Sequence, residues 1–135
     1  MTSGSGSVIS RRMMEIFKRF TFDAAHQLAC NVPAGHRYAG LHGHSFEVEV
    51  FVGGEPDPAK GWVVDFAALE AALKPLQETL DHGYLNEIPG LEVPTLEHIA
   101  IWIWDRLKPQ FPGLARVVVK RGSFGEGCVY SGPRG

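Results

Sequence analysis

No stretch of the 135-residue chain approaches the ~18 to 20 consecutive apolar residues that a membrane-spanning helix requires, so a helical membrane protein is not expected. Basic runs are missing as well: 13 Lys and Arg stand against 15 Asp and Glu, and the net charge of -2 argues against nucleic acid as the main partner. Cysteine is scarce. Cys30 and Cys128 are too few for a disulfide framework, and a reducing compartment would keep them as thiols. The N-terminus has no apolar signal-peptide core, so the expected location is cytoplasmic. There are no internal repeats. What is present, 44% hydrophobic and 21% charged residues, is ordinary for a soluble chain long enough to build one domain around a real core. The opening residues Met1-Thr2-Ser3-Gly4-Ser5-Gly6-Ser7 are small and polar and cannot bury surface. We expect residues 1–13 to be a disordered tail and residues 14–135 to form a single domain.

Histidine is concentrated rather than scattered. Four of the six, His26, His36, His42 and His44, fall in one short stretch. In the segment from Leu41 to Val50 polar and apolar residues alternate, and a strand sends residues i and i+2 to one face. His42 and His44 therefore project side by side, with Phe46, Val48 and Val50 continuing their face and Ser45, Glu47 and Glu49 on the other. Burial of the apolar face fixes the register. Upstream, Phe20, Phe22, Ala24 and His26 alternate in the same way, so pairing of the two strands as a hairpin brings three imidazoles to one end of it. Neutral imidazole is a good zinc ligand, and three protein ligands leave the fourth tetrahedral position open, as in catalytic zinc sites. A lone strand histidine is more often a hydrogen-bonded core residue. The His-x-His spacing is what favours the metal.

The remaining pattern gives the elements. After a first strand over roughly Met14 to Gln27, a loop of about a dozen residues rich in turn formers runs to the His-x-His strand, long enough to suggest a functional loop. That strand ends at Gly53-Gly54, and Trp62-Val63-Val64 reads as a strand end. Asp65 caps a helix whose buried stripe is Phe66, Leu69, Leu73, Leu76 and Leu80, with Pro75 expected to kink it and Asp81-His82-Gly83 closing it. Thr95 caps a second helix with Leu96, Ile99, Ala100, Ile103 and Leu107 inward. Arg116 to Lys120 and Cys128 to Tyr130 are the last strands, joined by a Gly-rich turn. The order predicts an α+β domain, a four-stranded antiparallel sheet with both helices on one face. Its leftover edges suggest a homo-oligomer that continues the sheet between subunits.

Several words then stand in a recognisable order: Phe-Thr-Phe-Asp-Ala-Ala-His (Phe20 to His26), Leu-His-Gly-His-Ser-Phe (Leu41 to Phe46), Gly-Trp-Val-Val-Asp-Phe (Gly61 to Phe66), Leu-Asp-His-Gly-Tyr-Leu-Asn (Leu80 to Asn86), Pro-Thr-Leu-Glu (Pro94 to Glu97) and Gly-Cys-Val-Tyr (Gly127 to Tyr130). From Phe17 to Gly132 the chain resembles the 6-pyruvoyltetrahydropterin and 6-carboxytetrahydropterin synthase family, nearest the bacterial enzymes of queuosine biosynthesis. The resemblance implies a tunnelling fold whose subunits join their sheets into a barrel, a hexamer of two trimers with active sites between subunits. It implies zinc on His26, His42 and His44, and a lyase acting on the pterin 7,8-dihydroneopterin triphosphate. It also implies proton transfer by Asp81 and His82 and substrate contacts from Thr95 and Glu97. A helix end with an exposed histidine accounts equally for Asp81-His82, as a cap and first-turn acid do for Thr95 and Glu97.

The sequence departs from the family at two places. The family cysteine four residues before the His-x-His pair is Tyr38 here, and a phenol titrates near ~10 against ~8.5 for a thiol. Tyr38, His36 or Cys30, the last only if the loop folds back, are the residues near enough to stand in. The family glutamate that accepts the pterin's N–H groups is replaced by Arg121-Gly122, with Glu126 able to supply a carboxylate if the turn is one residue longer. The resemblance implies that, without the cysteine, cleavage of the pterin side chain is favoured over its redox rearrangement. A paralogue that binds zinc and a pterin or purine without turnover is the alternative from another class.

Overall fold

The computed structural model describes residues 12–27 and 42–134, with His42 as backbone only. Of the expected tail at residues 1–13, residues 1–11 lie outside the described residues, as do Cys30, His36 and Tyr38. Two long strands, β1 (Met14–His26) and β2 (His42–Gly54), form an antiparallel hairpin in unbroken register from Met14 opposite Gly54 to His26 opposite His42. Helices α1 (Phe66–Leu80) and α2 (Leu96–Leu107) follow, separated by a 3-10 turn at Leu85–Glu87. The chain then returns as β3 (Leu114–Arg121) and β4 (Glu126–Tyr130). The sheet order is β1-β2-β3-β4, antiparallel throughout.

Strand period sorts the two faces. Phe22, Ala24 and His26, then Phe46, Val48, Val50 and Val52, then Val117 and Val119 are buried on the inner face. Against them lie Leu69, Leu73, Leu76 and Leu80 of α1, and Leu96, Ile99, Ile103 and Leu107 of α2. The three-and-four spacing of each set makes one continuous stripe per helix. The outer face carries ion pairs, Arg19 and Lys120 on Glu47 and Lys120 on Glu49.

Helix limits follow local chemistry. The Asp65 carboxylate accepts from the Ala67 N–H at 2.9 Å, and the Thr95 hydroxyl accepts from the His98 N–H at 3.2 Å, each capping a first turn. Helix α1 continues through Pro75 as one element. Two expectations are corrected. Phe66 is 49% exposed rather than part of the stripe, because it opens the helix ahead of the first buried turn. Trp62-Val63-Val64 is not strand: the Trp62 carbonyl accepts from Asp57 N–H, closing a loop in which Asp57 also accepts from Ala59 and Lys60. The Trp62 carbonyl thereby serves a turn rather than a sheet. Among the described residues, no helix is long and apolar enough to cross a membrane.

Candidate functional site

The inner face changes character where the apolar run stops. After Phe22 and Ala24 comes His26, 1% exposed, and before Phe46 comes His44, half-buried. The hairpin register puts Ala24 opposite His44 and His26 opposite His42. The His26 and His44 ring centres are 5.0 Å apart and edge to face. The His42 side chain lies outside the described residues. Among the described residues no three His, Cys, Asp or Glu side chains gather at one point.

The donor chemistry of the pair suits a metal. His26 Nδ1 lies 3.0 Å from the Pro94 carbonyl oxygen, which can only accept, so Nδ1 carries the hydrogen and Nε2 presents its lone pair. A backbone carbonyl on the remote nitrogen is a common support for a ligating imidazole. Two imidazoles on one tetrahedral zinc, with nitrogens about 2 Å from the ion, have ring centres roughly 5 Å apart, the spacing of this pair.

A cavity of about 260 Å³ opens beside the buried imidazole, bordered by His26, Thr95, Glu97, Arg121, Glu126 and Cys128. Thr95 and Glu97 arrive from the start of α2, and Glu126 arrives because β4 pairs Glu126 with Arg121 at the end of β3. The Arg121 side chain follows Val117 and Val119 onto the inner face and is buried, with Nη2 2.5 Å from Glu126 Oε1 and Nη1 3.5 Å from His44 Nε2. Phe124 covers His44 with ring centres 5.1 Å apart. Burial pushes the Cys128 thiol above its ordinary range, and the Glu97 carboxylate adds to the effect. Cys128 is thus a poor nucleophile on the cavity wall.

Asp81 and His82 stand at the free edge of β1, against the backbone of Asp23. Asp81 ends α1, and its Oδ1 accepts from the Asp23 N–H at 2.9 Å while Oδ2 lies 2.8 Å from His82 Nδ1. Adjacent residues in a helix cannot meet this way. Here His82 has left the helix with φ 57, in the left-handed region, and its N–H donates to the Asp23 carbonyl at 2.6 Å. The backbone N–H of Asp23 holds the Asp81 carboxyl below its ordinary range, and His82 lowers it further. A carboxylate only accepts, so His82 Nδ1 carries the hydrogen and Nε2 is left to exchange one. A second cavity of about 460 Å³ borders His82, Asp23, Ala25, His44 and Ser45. Ser45 Oγ donates to Asp23 Oδ1 at 2.5 Å.

Sequence reasoning missed the fastening of the strand end. Gln27 N–H donates to Asn86 Oδ1 and Asn86 Nδ2 donates to the Gln27 carbonyl, both at 2.8 Å, so a side-chain amide bolts the residue after His26 to the 3-10 turn. Asn86 closes the Leu-Asp-His-Gly-Tyr-Leu-Asn word, a signal that was present without a partner assigned. The role of Pro94 left no side-chain signal at all.

Residues 15–133 match a protein-family model described as 6-pyruvoyl tetrahydropterin synthase. The chain is 44% identical over 113 residues, 79% of its length and 85% of the relative's, to 6-carboxy-5,6,7,8-tetrahydropterin synthase of Synechocystis sp.. It is 40% identical over 112 residues, 83% of its length and 89% of the relative's, to dihydroneopterin monophosphate aldolase of Pyrococcus furiosus. Among solved structures, 6-pyruvoyl tetrahydropterin synthase of Caenorhabditis elegans is similar with a TM-score of 0.81 at 25% identity, over 93% of this chain and all of that one.

Proposed function

Since the chain belongs to the 6-pyruvoyl tetrahydropterin synthase family, we propose that it is a zinc-dependent lyase acting on the side chain of 7,8-dihydroneopterin triphosphate, in the manner of a 6-carboxytetrahydropterin synthase of queuosine biosynthesis. The observation that carries this reading is the juxtaposition of His26 and His44 with a cavity walled by Thr95, Glu97 and Glu126. His26, His42 and His44 would hold the ion. Bound there, zinc would act as a Lewis acid toward the side-chain oxygens of the pterin.

The chain's own groups supply the rest. Glu97 and Glu126 face a flat heterocycle rich in N–H donors, and Arg121 pairs with Glu126 and aims its carboxylate. Asp81 fixes the His82 tautomer so that Nε2 takes or returns a proton at the side-chain carbon. Asp23, Ser45 and His82 border one cavity, and His26, Thr95 and Arg121 border another. One substrate then meets both sets when a neighbouring copy contributes Asp81 and His82, which agrees with a site built between subunits of a homo-oligomeric barrel.

Similarity to the Pyrococcus furiosus dihydroneopterin monophosphate aldolase favours a second reading, in which the side chain is cleaved to leave a 6-hydroxymethyl pterin. Incubation of the zinc-loaded protein with dihydroneopterin triphosphate or monophosphate, followed by chromatography of the pterins, decides. A 6-carboxy product supports the first reading and a 6-hydroxymethyl product the second. Unchanged pterin with zinc bound overturns both and leaves a binding paralogue.

A further inference from the structure

We propose that the Arg121–Glu126 pair sets how tightly the imidazole site holds its metal, with the guanidinium acting as a built-in rival cation. This rests on the metal reading above. A ligating imidazole must offer a ring-nitrogen lone pair, and the Arg121 Nη1 donor stands 3.5 Å from His44 Nε2. Arginine is always charged and has no acceptor. It is buried on the inner face within the ring of groups that includes His26, His44 and Phe124, so its charge is weakly screened from an ion held there.

Glu126 supplies the counterweight. Its carboxylate pairs with Nη2 from the opposite strand, in direct register with Arg121, and offsets most of the guanidinium's charge. When a metal takes the His44 lone pair, the guanidinium retains Glu126 as its anchor and gives up the imidazole. The sequence puts cation and anion on facing strands, so removing one leaves the other unbalanced beside the metal. Removing the cation leaves a net negative charge and tightens binding. Removing the anion leaves a bare guanidinium at the site and weakens it.

The test is a zinc titration of the full chain in competition with a chromophoric chelator, with no turnover measured. Arg121→Met should tighten zinc binding about tenfold and Glu126→Gln should weaken it about tenfold, the scale on which groups surrounding metal ligands act. In the double variant the two shifts should cancel and the affinity return to near that of wild type, because both the intact pair and its double replacement carry no net charge. Glu126 is substantially exposed, so its substitution leaves the core intact and decides the matter alone if Arg121→Met does not fold. Unchanged affinities, or shifts of the same sign in both variants, overturn the proposal while leaving the metal reading in place. A wild-type chain that binds no zinc overturns both.

Discussion

Asp81 shows how a single half-buried carboxylate can join fold and chemistry. Its pKa is lowered first by the Asp23 N–H and then by His82, so its charged form stabilises the folded chain at pH values above the ordinary carboxylate range near ~4, and that contribution is lost as pH falls through the lowered folded value. Asp81→Asn should therefore lower Tm at pH 7, with the gap to wild type closing as pH falls below the ordinary carboxylate range in a series of melts. His82 invites a different substitution. Asn tolerates the left-handed backbone nearly as well as any residue except glycine, so His82→Asn should leave Tm nearly unchanged while turnover falls by about a hundredfold or more. A parallel loss of both would mean that His82 serves the fold rather than the reaction. At this scale much was legible in the sequence. The face shared by His26 and His44 follows from strand period, and the helix end at Asp81-His82 from the glycine after it. The Asn86 clamp and the Pro94 carbonyl were not legible, because each joins residues 59 or 68 apart and only the folded chain brings them together.

Among the elements, α1 does the most to locate the site's outer half. Leu80, fully buried, is the last residue of its stripe and directly precedes Asp81. Leu80→Ala should cost about 2–5 kcal/mol in denaturant unfolding, whereas Phe66→Ala at the exposed opposite end should cost well under that. Equal effects would show that α1 docks as a whole rather than along its stripe. The stripes, caps and strand alternation were readable because each is a repeat within one element. Trp62-Val63-Val64 misled because an apolar triplet has no period of its own, and the Asp57 turn decided its backbone. Arg121 and Glu126 depended on the length of the turn between β3 and β4, which only the observed pairing supplies.

At the level of the whole molecule, the sheet order leaves β1 and β4 as edges among the described residues, with Phe17 52% and Val129 59% exposed on them. Uncovered edges invite pairing with another chain. Light scattering at micromolar concentration should give a mass several times that of one chain, and Val129→Lys should reduce it; a monomer would remove the assembly reading and with it the shared site. The hydrogen bond from His26 to the Pro94 carbonyl has a consequence of its own in motion. It ties an imbedded ring to the residue just before the α2 cap, where the amides of His98 and Ile99 bond to Thr95. Anything that immobilises the ring should also slow local opening of that turn. Adding zinc should then retard hydrogen–deuterium exchange at His98 and Ile99 more than in the middle of α1, so that a helix start far along the chain reports the occupancy of the hairpin's end.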